Sequence, residues 1–147
     1  MTRTSTMLAV ALFATVVSAP VLSMAADTKP SLYERLGGTG PITAVVGKFV
    51  ANVAADKRIN GYFAKADIPN LKRQLVDQVC QASGGPCTYT GKSMKETHKG
   101  MKITTAAFNA LVEDLVAALD TFNVPEQEKG ELLSVLGPMN KDIVEVP

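Results

Sequence analysis

Apolar residues recur at intervals of three and four along most of the chain, which predicts helices throughout and no strand longer than a few residues. Ile42, Val45, Val46, Phe49, Val50 and Val53 form one buried stripe, and Pro41 suits the first turn of a helix running to about Asp56. Leu71, Leu75, Val76, Val79 and Cys80 form a second stripe behind Asp67 and Pro69, stopped by Gly84-Gly85-Pro86. Phe108, Leu111, Val112, Leu115 and Leu119 mark a long helix from Thr104. A last helix begins at Pro125 and bends at Gly137-Pro138. Two short helices are signalled by their caps instead. Ser31-Leu32-Tyr33-Glu34 and Ser93-Met94-Lys95-Glu96 each place a serine at the cap and a glutamate three residues on. Gly37-Gly38 closes the first and Gly100 the second. The fold class is all-α.

Residues 1–25 have a different character. Arg3 and the amino terminus make a short positive head, Leu8 to Leu22 is mostly apolar, and Ser23-Met24-Ala25 fits a small-x-small cleavage site. This predicts a cleaved signal peptide over 1–25 and an exported protein, most simply periplasmic. An uncleaved anchor is the alternative, but the apolar run is short for a span and Pro20 interrupts its end. Residues 26–147 then suit a single domain with a modest core and no stable membrane association. The chain carries 15 basic and 14 acidic side chains, so loss of Arg3 leaves it formally neutral. No basic run stands out, which argues against nucleic acid as a partner.

Cys80 and Cys87 lie close in sequence. In an oxidising compartment they would close a disulfide worth about 2–3 kcal/mol for so short a loop. Two buried thiols are the other reading. No Cys-x-x-Cys-His is present, which excludes covalent c-type haem attachment. The chain has one histidine, His98, on the short capped helix before Gly100. One imidazole cannot build a multi-histidine metal site, although it can complete a cofactor that brings its own remaining ligands. A helix this short is unstable alone and is costly to order unless it presents something.

From "LYERLGG" to "LGPM" the chain resembles the group I truncated haemoglobins, small globins built as a two-over-two helical sandwich around haem. The likeness is carried by the ordered glycines Gly37-Gly38, Gly84-Gly85 and Gly100, and most of all by "GGPCTYTGKSMKETHKGMKIT". The resemblance implies haem b (iron protoporphyrin IX), with His98 as the proximal iron ligand and its other ring nitrogen donating to a backbone carbonyl. It puts Phe63 on the haem face, and Phe49, Val50, Leu71, Leu75 and Val79 on the distal side. Met94, Met101, Ile103, Phe108, Leu111 and Leu115 fall on the proximal side and haem edge, with Lys72 and Tyr89 at the propionates. The partners implied are a diatomic gas ligand and an unidentified reductant, and the chain is expected to be a monomer or weak dimer.

The chain departs from the family on the distal side. Val50 stands where a tyrosine usually sits, Leu75 where a supporting glutamine often sits, and Leu71 where other globins place a histidine. Lys72, Gln74 and Gln78 are the nearest polar residues, and helical spacing turns most of them away, with Gln78 best placed to swing in. A buried donor to a charged acceptor is worth ~1.5–3 kcal/mol. Its loss predicts oxygen retention weakened by about tenfold to a hundredfold. Nitric oxide and carbon monoxide, less charged when bound, suffer less. The expected function is therefore binding of O2, NO or CO at an open iron position, with a role in nitric oxide handling or oxygen binding. The alternative is a periplasmic electron-transfer haem protein with an internal sixth ligand from Lys72 or a methionine. A haem-free helical interaction module is a third reading, against which His98 speaks. Catalysis is left open: nitric oxide dioxygenase-like and peroxidase-like activities are both compatible, although peroxidase chemistry usually needs a distal acid–base group.

Overall fold

The computed structural model describes residues 29–147; the leader expected at 1–25 lies outside the described residues. Within them the chain forms α1 (Leu32–Arg35), α2 (Thr39–Ala55), α3 (Ile68–Ala82), α4 (Met94–His98), α5 (Thr105–Thr121), α6 (Glu126–Leu136) and α7 (Asn140–Ile143). Single 3-10 turns occupy Asn60–Phe63 and Gly137–Met139. The one β feature among the described residues is a parallel bridge between Thr104 and Val146. No helix among them is long and apolar enough to cross a membrane.

The helix starts follow the local chemistry. Both serine capping boxes form, with the Ser31 and Ser93 hydroxyls accepting from the N–H of Glu34 and Glu96, and each glutamate reaching back to the cap backbone. Asp67 caps α3 and Thr104 caps α5 through their side chains. Helix α2 begins two residues before Pro41, because Gly38 at φ +83° lets the chain turn into it directly from α1. The bend expected at Gly137-Pro138 is a 3-10 turn between α6 and α7. The polar stretch after α2 holds a feature that periodicity did not signal, the 3-10 turn that sets Tyr62 and Phe63 against the core.

Helix α2 is the centre of the core, burying Ile42, Val45, Val46, Phe49, Val50 and Val53. It packs on α3 and on α5. Helix α5 buries Ala110, Ala118 and Leu119 completely, two of them alanines that allow close helix approach. The Asn52 amide adds a hydrogen bond to the Asp114 carbonyl at 3.1 Å. Arg35 ties α1 to α6 through Glu128 at 2.7 Å and through Glu131. The Tyr33 N–H donates to the Ser83 carbonyl at 2.8 Å, which docks α1 on the end of α3.

The cysteines form a disulfide, Cys80 being fully buried at the end of α3 and Cys87 lying in the segment that follows. Their separation of 7 residues makes the closed loop short, so the chain-entropy stabilisation is about 2–3 kcal/mol. Replacing both by alanine is expected to lower the free energy of unfolding by about that amount, read from urea midpoints at unchanged slope. An unaltered midpoint would mean that the bridge constrains nothing the helices do not already hold.

Candidate functional site

Helices α3 and α5 both lie against α2 but make no comparable contact with each other. The space between them is a cavity of about 820 Å³, within the range of small-molecule and cofactor sites. Phe49 and Val50 of α2 line it, as do Phe63, Phe108, Leu111 and Leu115. Helix α3 contributes Leu71, Gln74, Leu75, Gln78 and Val79, the spacing of a single helical face. Tyr89, Thr90, Gly91 and Lys92 close one side, and α4 adds Met94, Thr97 and His98.

Helix α4 fixes the imidazole. The His98 Nδ1–H donates to the Met94 carbonyl, one turn earlier, at 2.7 Å. A carbonyl can only accept, so the proton sits on Nδ1 and Nε2 carries the lone pair. Among the described residues Nε2 has no hydrogen-bond partner. The helix's first turn is held by Glu96, whose carboxyl lies below the usual carboxylate range because the Ser93 hydroxyl and backbone N–H both donate to it. Beyond the helix, Gly100 and Lys102 both take positive φ, at 81° and 54°.

The polar groups of the cavity are few. Gln78 Nε2 reaches the Met94 and Met139 sulfurs at 3.4 and 3.5 Å, bridging α3 to α4 and the α6–α7 turn. Among the described residues Gln74 Oε1 is buried without a partner. Tyr89 donates its hydroxyl proton to the Lys92 carbonyl at 2.8 Å, and burial pushes its phenol pKa up. Its backbone N–H donates to Gln81 Oε1 at 2.6 Å, which ties this segment back to α3.

Of the site residues read from the sequence, Phe49, Val50, Phe63, Leu71, Leu75, Val79, Tyr89, Met94, His98, Phe108, Leu111 and Leu115 meet at this cavity. Lys72, Met101 and Ile103 do not. Lys72 follows Leu71 by one residue, about 100° around the helix, and is exposed to solvent. Met101 sits in the turn after α4. Ile103 is buried elsewhere, its carbonyl taken by the N–H groups of Glu145 and Val146. Gln74 turns inward rather than away: standing three residues from Leu71, it belongs to the same face. Thr97, Lys92 and Met139 also line the cavity, and no periodic signal in the sequence marks them.

The family profile of the bacterial-like globins matches residues 31–145. The chain is 36% identical to a group 1 truncated haemoglobin of Tetrahymena thermophila over 78% of its length and 94% of that protein's. It is 34% identical to one of Mycolicibacterium paratuberculosis over 77% and 83%. Its fold superposes on the truncated haemoglobin of Tetrahymena pyriformis in the Fe(III) form with a TM-score of 0.76 at 34% identity, covering 78% of this chain and 98% of that one. A 2/2 haemoglobin of a Synechococcus species, solved with covalently attached haem, aligns with a TM-score of 0.71 at 32% identity over 77% and 95%. The chain belongs to the bacterial-like globins, among the group 1 truncated haemoglobins.

Globins of this family bind haem, and the donor set here fits that cofactor. The cavity is lined mainly by apolar side chains and holds one imidazole with a free Nε2 lone pair. Among the described residues no cluster of His, Cys, Asp or Glu could hold a metal ion by itself, so an iron here needs the porphyrin's nitrogens.

Gly91 sets the shape of the cavity's polar side. A Cβ there would overlap the Tyr89 hydroxyl and lie 2.8 Å from Gln74 Oε1. Gly91→Ala is expected to displace the tyrosine from Lys92 and to cost about 1–3 kcal/mol, the usual range for overpacking. Denaturant midpoints together with the near-ultraviolet tyrosine signal check this, and the wild-type values of both would refute it.

Proposed function

We propose that this globin holds haem b in the cavity through His98 alone and binds a small diatomic gas there. The observation that carries the reading is the 2.7 Å bond from His98 Nδ1 to the Met94 carbonyl. It fixes the tautomer, leaves Nε2 as a metal donor and restrains the ring plane. Haem would supply four nitrogens to its iron, so that with His98 as the fifth ligand one position would be left for a gas. Phe49, Phe63, Phe108, Leu111 and Leu115 would pack around the porphyrin and exclude water from it. Tyr89 and Lys92, at the polar side, would face its carboxylates. Lys72, exposed and off the cavity, gives no support to an internal sixth ligand from that residue.

The gas pocket favours weakly polarised ligands. Val50, Leu71 and Leu75 offer no hydrogen-bond donor, and the Gln78 amide is directed at two thioethers. Oxygen, which draws most charge when bound, gains least from such a pocket, while nitric oxide and carbon monoxide lose little. This supports a role in nitric oxide handling over oxygen storage. We propose as well that the protein is exported from the cytoplasm. The leader-like residues 1–25 support it, as does the Cys80–Cys87 bridge, a type of cross-link that persists in oxidising compartments.

Absorption spectra of the purified protein, oxidised and reduced, with and without carbon monoxide, test the cofactor assignment. A Soret band in the wild type that is weakened or displaced in His98→Ala is the expected result. Full, unshifted haem binding by the variant would overturn it. For the gas pocket, Val50→Tyr restores a phenol donor and should slow oxygen release about tenfold to a hundredfold in stopped-flow exchange. An unchanged rate would show that retention is not limited by the missing donor.

A further inference from the structure

Helix α4 has a capping box at its start and ends at Lys99, whose ψ of 125° leaves the helical range. Immediately after His98 the chain turns through Gly100 and Lys102, both at positive φ, and Lys102 carries a Cβ that makes this conformation costly. Something must hold that turn. The Glu145 carboxylate does so from the other end of the chain: Oε1 accepts from the Gly100 N–H at 2.7 Å and Oε2 from the Lys102 N–H at 2.6 Å. The same tail is joined to the start of α5 by its backbone. The N–H groups of Glu145 and Val146 donate to the Ile103 carbonyl at 2.9 and 3.1 Å, and the Thr105 N–H donates to Val146 at 3.0 Å. Helix α7, just before the tail, packs on α4.

We propose that Glu145 is a positioning residue for His98, its carboxylate clamping the Gly100–Lys102 turn so that the imidazole is presented to the cavity at one fixed angle. The backbone bonds at Ile103 and Thr105 anchor the tail without the glutamate side chain. Loss of the carboxylate therefore frees only the segment between His98 and Ile103. One end of α4 would stay fixed by Ser93 and Glu96 while the end bearing the imidazole loosens. The inference rests on the haem assignment above, since the consequence of a mobile imidazole is a weaker and more variable bond to iron. Partners outside the ligand set typically contribute about 10–100-fold in metal affinity. A gain of about tenfold or more in the rate of haem loss is the effect to look for.

The experiment compares wild type, Glu145→Ala and Glu145→Gln, with Asn52→Ala as a control that removes a hydrogen bond between α2 and α5. In haem-loaded protein the readouts are haem transfer to excess apomyoglobin and the iron–imidazole stretching band of the ferrous form by resonance Raman. In haem-free protein the readout is amide exchange at Gly100 and Lys102. Glu145→Ala should speed haem loss at least about tenfold, shift or broaden the band and accelerate exchange at both amides. Glu145→Gln keeps one acceptor oxygen and should fall between it and wild type. Asn52→Ala should lower stability while leaving the band in place. An unmoved band and haem-loss rate in Glu145→Ala would overturn the proposal, whether or not the amides exchange faster. So would an equal band shift in Asn52→Ala. Unaltered haem binding in His98→Ala would instead remove the cofactor assignment on which the proposal rests.

Discussion

A helix of five residues cannot hold itself in water, and the site of this globin is built on such a helix. Nucleation costs more than one turn of hydrogen bonds returns, so α4 exists only because its surroundings fix it. The Ser93–Glu96 box satisfies its first N–H groups, α7 supports it, and the Glu145 carboxylate holds the turn that leaves it. Inside the helix one further bond, from His98 to Met94, orients the ring. A longer helix would bring its own rigidity. A short one lets the chain bring a single imidazole to the cavity and leave again within a few residues.

Much of this was legible in the sequence because it is local chemistry. Both capping boxes and the apolar stripes of α2, α3 and α5 depend on residues three and four apart, and they formed where the pattern put them. The lone histidine was conspicuous for the same reason. What the pattern could not carry is contact across the chain. Glu145 lies 43 and 45 residues from the amides it accepts from, and nothing in its neighbourhood signals a partner. The positive φ of Lys102 is equally silent, since lysine has no preference for it. Ile103 and Met101 have the composition of pocket residues, but backbone pairing with the tail and the tight turn after Gly100 take them elsewhere.

The glutamines of α3 illustrate a different limit. Periodicity says which residues share a face but not how far round the helix that face extends. Here it is wide enough to bring Gln74 and Gln78 to the cavity beside Leu71, Leu75 and Val79. The result is a mainly apolar wall with two amides set in it. Gln78 spans two methionine sulfurs, and Gln74 leaves an oxygen unpartnered. The pocket's chemistry is set by which amide atoms face inward as much as by the apolar side chains.

The two fully buried alanines of α5 have a bearing on how such pockets diversify. Ala110 and Ala118 touch no part of the cavity, yet their small size sets how closely α5 lies on α2, and α3 rests on that same helix. The distance between the two walls is thus governed by residues that a ligand never meets. A lineage could retune the breadth of its pocket by drift at those sites while every lining side chain stayed as it was. Comparing lining residues alone would then mistake two different pockets for the same one.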